Sequence, residues 1–126
     1  MGAFVGIDVS KAALDVAILE ESGVRRFANT LAGHRKLAAW LLARKPARVF
    51  LEATGGYEQT VLDALHAAGL PMFRVNARQA RDFAKATGQL AKTDTLDARV
   101  LAKMAAAMEL TPYEPREAWR VRLSEW

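Results

Sequence analysis

Two aspartates, Asp94 and Asp97, stand three positions apart in the segment GQLAKTDTLDARVLAKM, which covers residues 88–104. The apolar spacing of TDTLDARVLAKMAAAM predicts a helix over residues 93–108, and residues three apart on a helix are surface neighbours. Two carboxylates in that arrangement repel each other unless a positive charge lies between them. The spacing therefore indicates a pair of metal ligands, with Lys92 and Arg99 as nearby cations.

Two further carboxylates end apolar runs that are typical of strands. Asp8 closes the run AFVGID, and Glu52 ends the run RVFLE, which follows a predicted helix. Ligand sites of open α/β sheets lie at the carboxyl ends of the strands, so adjacent parallel strands would bring Asp8 and Glu52 together. A late helix laid over that edge would add Asp94 and Asp97.

Four acids from three distant segments favour a site for hard divalent cations. Carboxylate oxygens are the ligands that Mg²⁺ and Mn²⁺ prefer, and both ions also bind phosphate oxygens. Two such ions about 4 Å apart stabilise the attacking and the leaving oxygen of a phosphodiester displacement. A single aspartate at a strand end is more often a cap or a turn residue, and only the combination of four indicates this chemistry.

The composition limits the class of protein. The chain has 126 residues, 52% of them hydrophobic and 25% charged, as expected of one folded domain with a buried core. It has no cysteine, which excludes disulfides and thiolate metal sites, so any metal would be held by oxygen or histidine. No stretch has the pattern of a signal peptide or a membrane span, and we expect a cytoplasmic protein without a membrane partner.

The positive charge is concentrated around the late aspartates. The net charge is +4, and the segment from Arg74 to Lys103, with seven basic and three acidic residues, accounts for all of it. Such a segment is typical of a surface that contacts a polyanion, although a solvated helix face would have the same composition. The candidate phosphate contacts are Arg78, Arg81 and Lys85 on one predicted helix face, and Lys11 and Lys92 beside the acids, where charge compensation is the alternative.

Periodicity predicts the elements that must position these residues. Three short runs at the amino terminus indicate an antiparallel meander, after which helices and strands alternate until two closing helices. The predicted order is βββαβαβαα, an α/β protein with a mixed sheet flanked by helices. The predicted strands cover residues 3–10, 13–20, 23–30, 47–53 and 71–76, and the predicted helices cover 33–45, 55–70, 77–87 and 93–108.

Several phrases resemble, in order and spacing, the amino-terminal domain of DEDD transposases, the Piv-like, insertion-sequence one-ten family of DNA recombinases. They are FVGIDVSKAALDVAI, NTLAGHRKLAAWL, VFLEATGGYE and LHAAGLPMFRVNARQARDFAKATGQLAKTDTLDARVLA, and they span roughly residues 3–107. The resemblance implies a ribonuclease-H-like (RuvC-like) fold and a tetrad that falls on Asp8, Glu52, Asp94 and Asp97. These are the four acids that the strand ends and the helix spacing select, with Mg²⁺ or Mn²⁺ as the implied cofactor.

The resemblance also implies partners and a domain organisation. Family members act on DNA, some with a structured guide RNA encoded by the element, and we expect a homo-oligomer of the full-length protein. They carry a second, carboxyl-terminal domain with a serine nucleophile, and no serine of this chain lies in a matching motif. We therefore expect a catalytic domain over residues 1–110, a linker or the start of a following helix over 111–126, and no recombination by this chain alone.

Three other functions fit parts of the pattern. A junction-resolving nuclease of the RuvC type would use the same acids without a second domain. The phrase GIDVSKAALDVAI also resembles the phosphate-loop hairpin of actin-like sugar kinases and ATPases, but that hairpin has a small residue after the aspartate, where this chain has Val9. A noncatalytic dimerisation and nucleic-acid-binding module would bind nucleic acid without metal.

Overall fold

The computed structural model describes residues 2–53, 55–88 and 97–115 and shows a five-stranded sheet with helices on both faces. The strands are β1 (Phe4–Val9), β2 (Ala13–Ile18), β3 (Arg25–Ala28), β4 (Arg48–Ala53) and β5 (Met72–Asn76), and the helices are α1 (Leu31–Leu42), α2 (Gln59–Ala67), α3 (Ala77–Ala86) and α4 (Ala98–Ala107). The predicted order βββαβαβαα is confirmed.

The strands lie in the order β3-β2-β1-β4-β5 across the sheet. The three amino-terminal strands form the predicted antiparallel meander, because short turns join them. β4 and β5 extend the sheet in parallel with β1, since α1 and α2 provide the crossovers that parallel neighbours need. The strands that carry Asp8 and Glu52 are thus adjacent, as predicted.

Side chains that alternate along the strands divide the core between the two faces of the sheet. Ile7 and Leu51 point to one face, where they pack with Leu37 of α1 and Leu62 of α2. All four are fully buried, and a buried side chain of this size stabilises the fold by about 1.5–3 kcal/mol relative to an exposed one. The continuous apolar run of β4 is explained by helices on both faces.

The opposite face of the sheet is covered by α4 at close range. Gly6 of β1 has no side chain, and a Cβ atom there would lie 2.2 Å from Ala98 O. At the far end of the helix, Arg48 Nη1 donates to Ala105 O and to Met108 O, both at 3.0 Å. α4 therefore crosses β1 and β4 with its amino terminus near the carboxyl ends of these strands.

The start of α2 differs from the prediction. This helix begins at Gln59 rather than at residue 55, because Gly55 and Gly56 adopt positive φ angles of 57° and 88° and form a turn. α1 begins two residues earlier than predicted, since the Thr30 side chain caps the helix by accepting a hydrogen bond from Gly33 N at 3.1 Å.

The start of α4 also differs, and here the difference concerns the candidate site. The helix begins at Ala98, and Asp97 precedes it in extended conformation, with φ −134° and ψ 176°. The prediction of one helix that carries Asp94 and Asp97 on the same face is therefore wrong at Asp97. Asp94 itself lies outside the described residues.

After α4, the chain packs against β5 and α2 through Tyr113. Tyr113 N donates to Met72 O at 2.9 Å, the Tyr113 hydroxyl donates to Asp63, and its ring meets that of His66 edge-on at 5.6 Å between centroids. Residues 116–126 lie outside the described part of the chain, so the predicted boundary at residue 110 and the linker stay predictions. Among the described helices, none has the length and apolarity that a membrane crossing requires.

Candidate functional site

Asp8 and Glu52 lie side by side on the two central parallel strands. Ile7 is aligned with Leu51 in the register, so the next residues along each strand are aligned too. Because neighbouring residues alternate between faces, both carboxylates point to the face that α4 covers. Glu52 is only 9% exposed and Asp8 is half-buried. The prediction that these two acids converge from adjacent strands is confirmed.

Asp97 reaches the same edge of the sheet from α4. It is the N-cap residue of this helix, and its Oδ1 accepts a hydrogen bond from Val100 N at 3.1 Å. Together with Asp8, Asp97 lines a cleft whose rim includes Arg99 of the first helical turn. Three of the four predicted acids therefore lie at the same edge of the sheet, and the fourth, Asp94, lies in the segment 89–96 outside the described residues.

The carboxylates at this edge disfavour one another's ionised form. Burial raises the pKa of Asp8, and the negative charges of Asp15 and Asp97 raise it further. Burial also raises the pKa of Glu52, Asp8 adds to that effect, and the cation of Arg81 opposes it. The two central acids are thus partly desolvated and lie within electrostatic reach of further acids, a combination that is common at functional sites.

Asp15 and Arg26 belong to this surface, and the sequence reasoning missed both. Asp15 of β2 is aligned with Asp8 across the antiparallel pair, and Arg26 of β3 is aligned with Asp15. The Arg26 guanidinium binds the Asp15 carboxylate in a fork, with Nε to Oδ1 at 2.8 Å and Nη2 to Oδ2 at 3.2 Å. Period-two alternation in ALDVAI places Asp15 opposite to Leu14, and this signal could have placed it on the face of Asp8.

The pH dependence of stability is expected to differ between the metal-free domain and its Asp8→Asn variant. A raised pKa means that the folded state holds the Asp8 proton more tightly than the unfolded state does. The resulting stabilisation is present below the ordinary carboxyl pKa and is lost as the pH rises through the raised value. Urea unfolding with a chelator between about pH 4 and pH 7 measures this effect. The unfolding free energy of the variant, relative to that of the wild type, should increase as the pH rises.

The control for this comparison is Asp82→Asn, which removes an exposed carboxylate from α3. Its unfolding free energy, measured over the same pH range, gives the effect of losing one exposed carboxylate. If the Asp8→Asn curve ran parallel to the wild-type curve, Asp8 would not be held among repelling charges.

Asn29 joins the two loops that follow the central acids. Its Nδ2 donates to Ser10 O at 2.9 Å and to Tyr57 O at 3.2 Å, and its Oδ1 lies 2.7 Å from His34 Nε2. Since Oδ1 is an acceptor, Nε2 must carry the proton of the imidazole. His34 is buried, and burial lowers its pKa, which keeps the ring neutral. This network fixes the loops after β1 and β4 relative to each other.

The predicted basic residues are distributed around the acids. Arg78, Arg81 and Lys85 are exposed on α3, whose opposite face buries Ala80 and Ala84. Among the three cations, Arg81 lies near enough to Glu52 for its charge to oppose the rise of the Glu52 pKa. Lys11 is exposed in the turn between β1 and β2, and Lys92 lies outside the described residues.

A complete metal cage is not formed by the described residues. Within residues 2–53, 55–88 and 97–115, no group of three or more histidine, aspartate or glutamate side chains is close enough to hold a metal ion. Asp8, Glu52 and Asp97 share an edge and an electrostatic field, but their carboxylates do not close on a single point.

The fold and the acids at its sheet edge define the class of protein. A mixed sheet in the order β3-β2-β1-β4-β5, with carboxylates at the ends of its central parallel strands, is typical of a ribonuclease-H-like domain of the RuvC type. Residues 5–126 match the family model of DEDD transposases of the IS110 type, described as transposase. The chain belongs to this transposase family.

The comparison with RuvC agrees with this fold. RuvC from T. thermophilus, solved in complex with a Holliday junction substrate, has a TM-score of 0.51 and 16% sequence identity, and the match covers 84% of this chain and 89% of RuvC. An inorganic polyphosphate/ATP-glucomannokinase from Arthrobacter sp. strain KM has a TM-score of 0.48 and 16% identity, over 74% of this chain and 51% of the kinase. The search of curated proteins gave no match.

Proposed function

We propose that this chain contains the amino-terminal catalytic domain of a DNA transposase, which uses a divalent-metal carboxylate set for phosphodiester cleavage and strand transfer. The observation that supports the proposal is that Asp8, Glu52 and Asp97, from two strands and the N-cap of a helix, lie at one edge of the sheet. Membership of the transposase family indicates the class of reaction. Asp94 is the fourth member of the proposed catalytic set.

The donor set fits a hard cation such as Mg²⁺ or Mn²⁺. All four side chains are carboxylates, the ligand type that these ions prefer. Burial is the largest cause of the raised pKa of Asp8 and of Glu52, and the negative charge of neighbouring acids is the second cause. A bound cation would therefore relieve a repulsion that is already present. When bound, the ion supplies Lewis-acid stabilisation of the charge that develops on the phosphodiester oxygens.

The proposed metal ligands are held in place by different elements of the structure. Asp8 and Glu52 are held by the sheet hydrogen bonds of β1 and β4, which makes them the rigid members of the set. Asp97 uses Oδ1 to cap α4, and an ionised carboxylate has acceptor sites left for a cation. Asp97 would therefore couple metal binding to the position of α4.

The proposed partner is DNA, which would approach over α3. Arg78, Arg81 and Lys85 project from this helix, and the exposed Lys11 lies in the turn just after Asp8. Lys92 is the remaining proposed phosphate contact. A structured guide RNA and a homo-oligomer of the full-length protein are part of the same proposal, on the basis of the family resemblance.

Millimolar Mn²⁺ is expected to stabilise the chain, and Asp8→Asn is expected to remove most of that gain. A ligand that binds only the folded state stabilises it by about 2.7 kcal/mol when present at a hundredfold excess over its Kd. In the absence of metal, the variant should be as stable as the wild type or more so, because a repelling charge is gone. Thermal unfolding with Mn²⁺ and with chelator measures both effects.

The matched variant for the metal experiment is again Asp82→Asn, which makes the same charge change at an exposed position of α3. It should keep the full Mn²⁺ gain. If Mn²⁺ did not change the melting temperature of the wild-type chain while the chain still bound DNA, the catalytic proposal would be contradicted. That result would favour a noncatalytic nucleic-acid-binding module.

A further inference from the structure

A row of charged side chains crosses the sheet at the candidate site. In spatial order from β3 to α3 it consists of Arg26, Asp15, Asp8, Glu52 and Arg81. Neighbouring strands are about 4.8 Å apart, so the row extends over several strand spacings. Its two ends are cations and its centre is acidic, and only the cation on the α3 side belongs to the basic surface proposed above.

Arg26 is held in a fixed orientation while its guanidinium stays open to solvent. The fork with Asp15 uses the Nε and Nη2 groups, and the side chain is 72% exposed. A guanidinium has five N–H donors, so three of them are left after the two bonds to Asp15. Arg26 lines a cleft together with Asp8, Asp97 and Arg99.

Stability alone does not explain the two arginines of this cleft. An exposed ion pair such as that of Arg26 with Asp15 adds little to folding. Arg99 lies in the first turn of α4, where a cation opposes the helix dipole. The first turn itself contains no acidic residue, and the nearest acid along the chain is the N-cap Asp97. Neither arginine is therefore expected to add much to the stability of its own element, and both line the cleft beside the acids.

We infer that Arg26 and Arg99 form a binding subsite for a backbone phosphate of nucleic acid, on the side of Asp8 opposite to Arg81. Guanidinium groups bind phosphate oxygens through paired N–H donors, and Arg26 presents such donors in a preset orientation. A nucleic-acid strand that runs across the β-strands would meet a cation before and after the acids. The inference rests on the proposed function, because it assumes that the substrate backbone lies over this sheet edge.

The chain offers a matched control for Arg26 within the same strand. Arg25 is the preceding residue of β3, carries the same charge and points to the opposite face, with its guanidinium 5.3 Å from the ring centroids of Phe27 and Trp40. Arg26→Gln and Arg25→Gln thus change the net charge equally on opposite faces of the sheet. Arg81→Gln reports on the basic surface of α3.

The experiment measures binding of the full chain to fluorescent DNA and RNA oligonucleotides over a range of salt concentrations. One lost phosphate contact lowers the salt slope by about one and weakens binding about five- to tenfold near 0.1 M salt. We expect this loss for Arg26→Gln and for Arg81→Gln, and no change of slope for Arg25→Gln. Loss on DNA only, on RNA only or on both identifies the nucleic acid that uses the subsite.

A double variant separates phosphate binding from simple charge compensation. If Arg26 only neutralised Asp15, Asp15→Asn combined with Arg26→Gln would restore wild-type binding; if Arg26 contacts phosphate, the double variant stays weak. Restoration in the double variant, or equal effects of Arg26→Gln and Arg25→Gln, would overturn the subsite while Arg81→Gln still supports the proposed function. Absence of binding by the wild-type chain would contradict both.

Discussion

Replacement of Gly6 by Ala is expected to lower the free energy of unfolding by about 3 kcal/mol. A Cβ atom at position 6 would lie 2.2 Å from Ala98 O, 2.4 Å from Ala102 N and 2.6 Å from Leu101 Cβ. Two of these atoms are backbone atoms of α4, so no side-chain rotation can relieve the overlap. Either β1 or the whole helix must move. Urea unfolding monitored by circular dichroism measures the loss.

A control is Gly23→Ala, since a Cβ atom at Gly23 would meet nothing within 4 Å. Its φ of 82° alone costs about 1–2 kcal/mol for a residue with a side chain. Displacement of α4 would also move Asp97 away from Asp8, so Gly6→Ala should reduce the Mn²⁺ gain more than Gly23→Ala does. Wild-type stability of Gly6→Ala would show that α4 does not pack directly on β1.

The order of elements and the meeting of Asp8 with Glu52 could be predicted because both depend on local patterns. Each acid follows an apolar run with strand spacing, and a predicted helix lies between the two runs. A helical crossover makes the two strands parallel, and parallel strands present their carboxyl ends at the same edge. Adjacency in the sheet then follows from the tendency of consecutive parallel strands to be neighbours.

The start of α4 could not be predicted in the same way. The stretch TDTLDA offers several residues that cap helices well, among them Thr93, Asp94, Thr95 and Asp97. Local preference does not choose between them. The choice is made by packing, since Ala98, the first residue of the helix, lies against the bare backbone at Gly6. The glycine in the interior of a strand was the available signal, because such glycines often mark the close approach of another backbone.

The polar contacts that support the site were missed because they join residues far apart in the sequence. Asn29 reaches Ser10 O and Tyr57 O from outside both loops, and nothing in the local pattern of any of the three segments indicates it. The partner of Arg26 becomes evident only when the register of β2 and β3 is known. Such contacts depend on tertiary structure that periodicity does not specify.

The motif EATGGYE owes its shape to one of these distant contacts. Glu58 is 1% exposed, its Oε1 accepts from Gly56 N at 3.0 Å, and its Oε2 accepts from Arg74 Nη2 at 2.8 Å. Gly56 has a φ of 88°, which a residue with a side chain rarely adopts. The buried carboxylate therefore joins the turn that follows Glu52 to β5, and it fixes the path of the chain as it leaves the candidate site.

Arg74→Ala is expected to destabilise the domain by about 3 kcal/mol, because it deprives a buried carboxylate of its cation. Glu58→Gln should cost less, about 1 kcal/mol, since the amide oxygen can still accept from Gly56 N and Arg74 is 45% exposed and can be solvated by water. Urea unfolding of both variants, with Arg78→Ala as the control for loss of an exposed arginine, measures this asymmetry. The physical reason is that Arg74→Ala leaves the Glu58 carboxylate buried without this ion pair, whereas Glu58→Gln leaves an arginine that water can solvate. Equal losses of unfolding free energy for Arg74→Ala and Glu58→Gln would mean that the bond itself stabilises the turn. If Arg74→Ala lost no more than Arg78→Ala, Arg74 would not stabilise the Glu58 carboxylate.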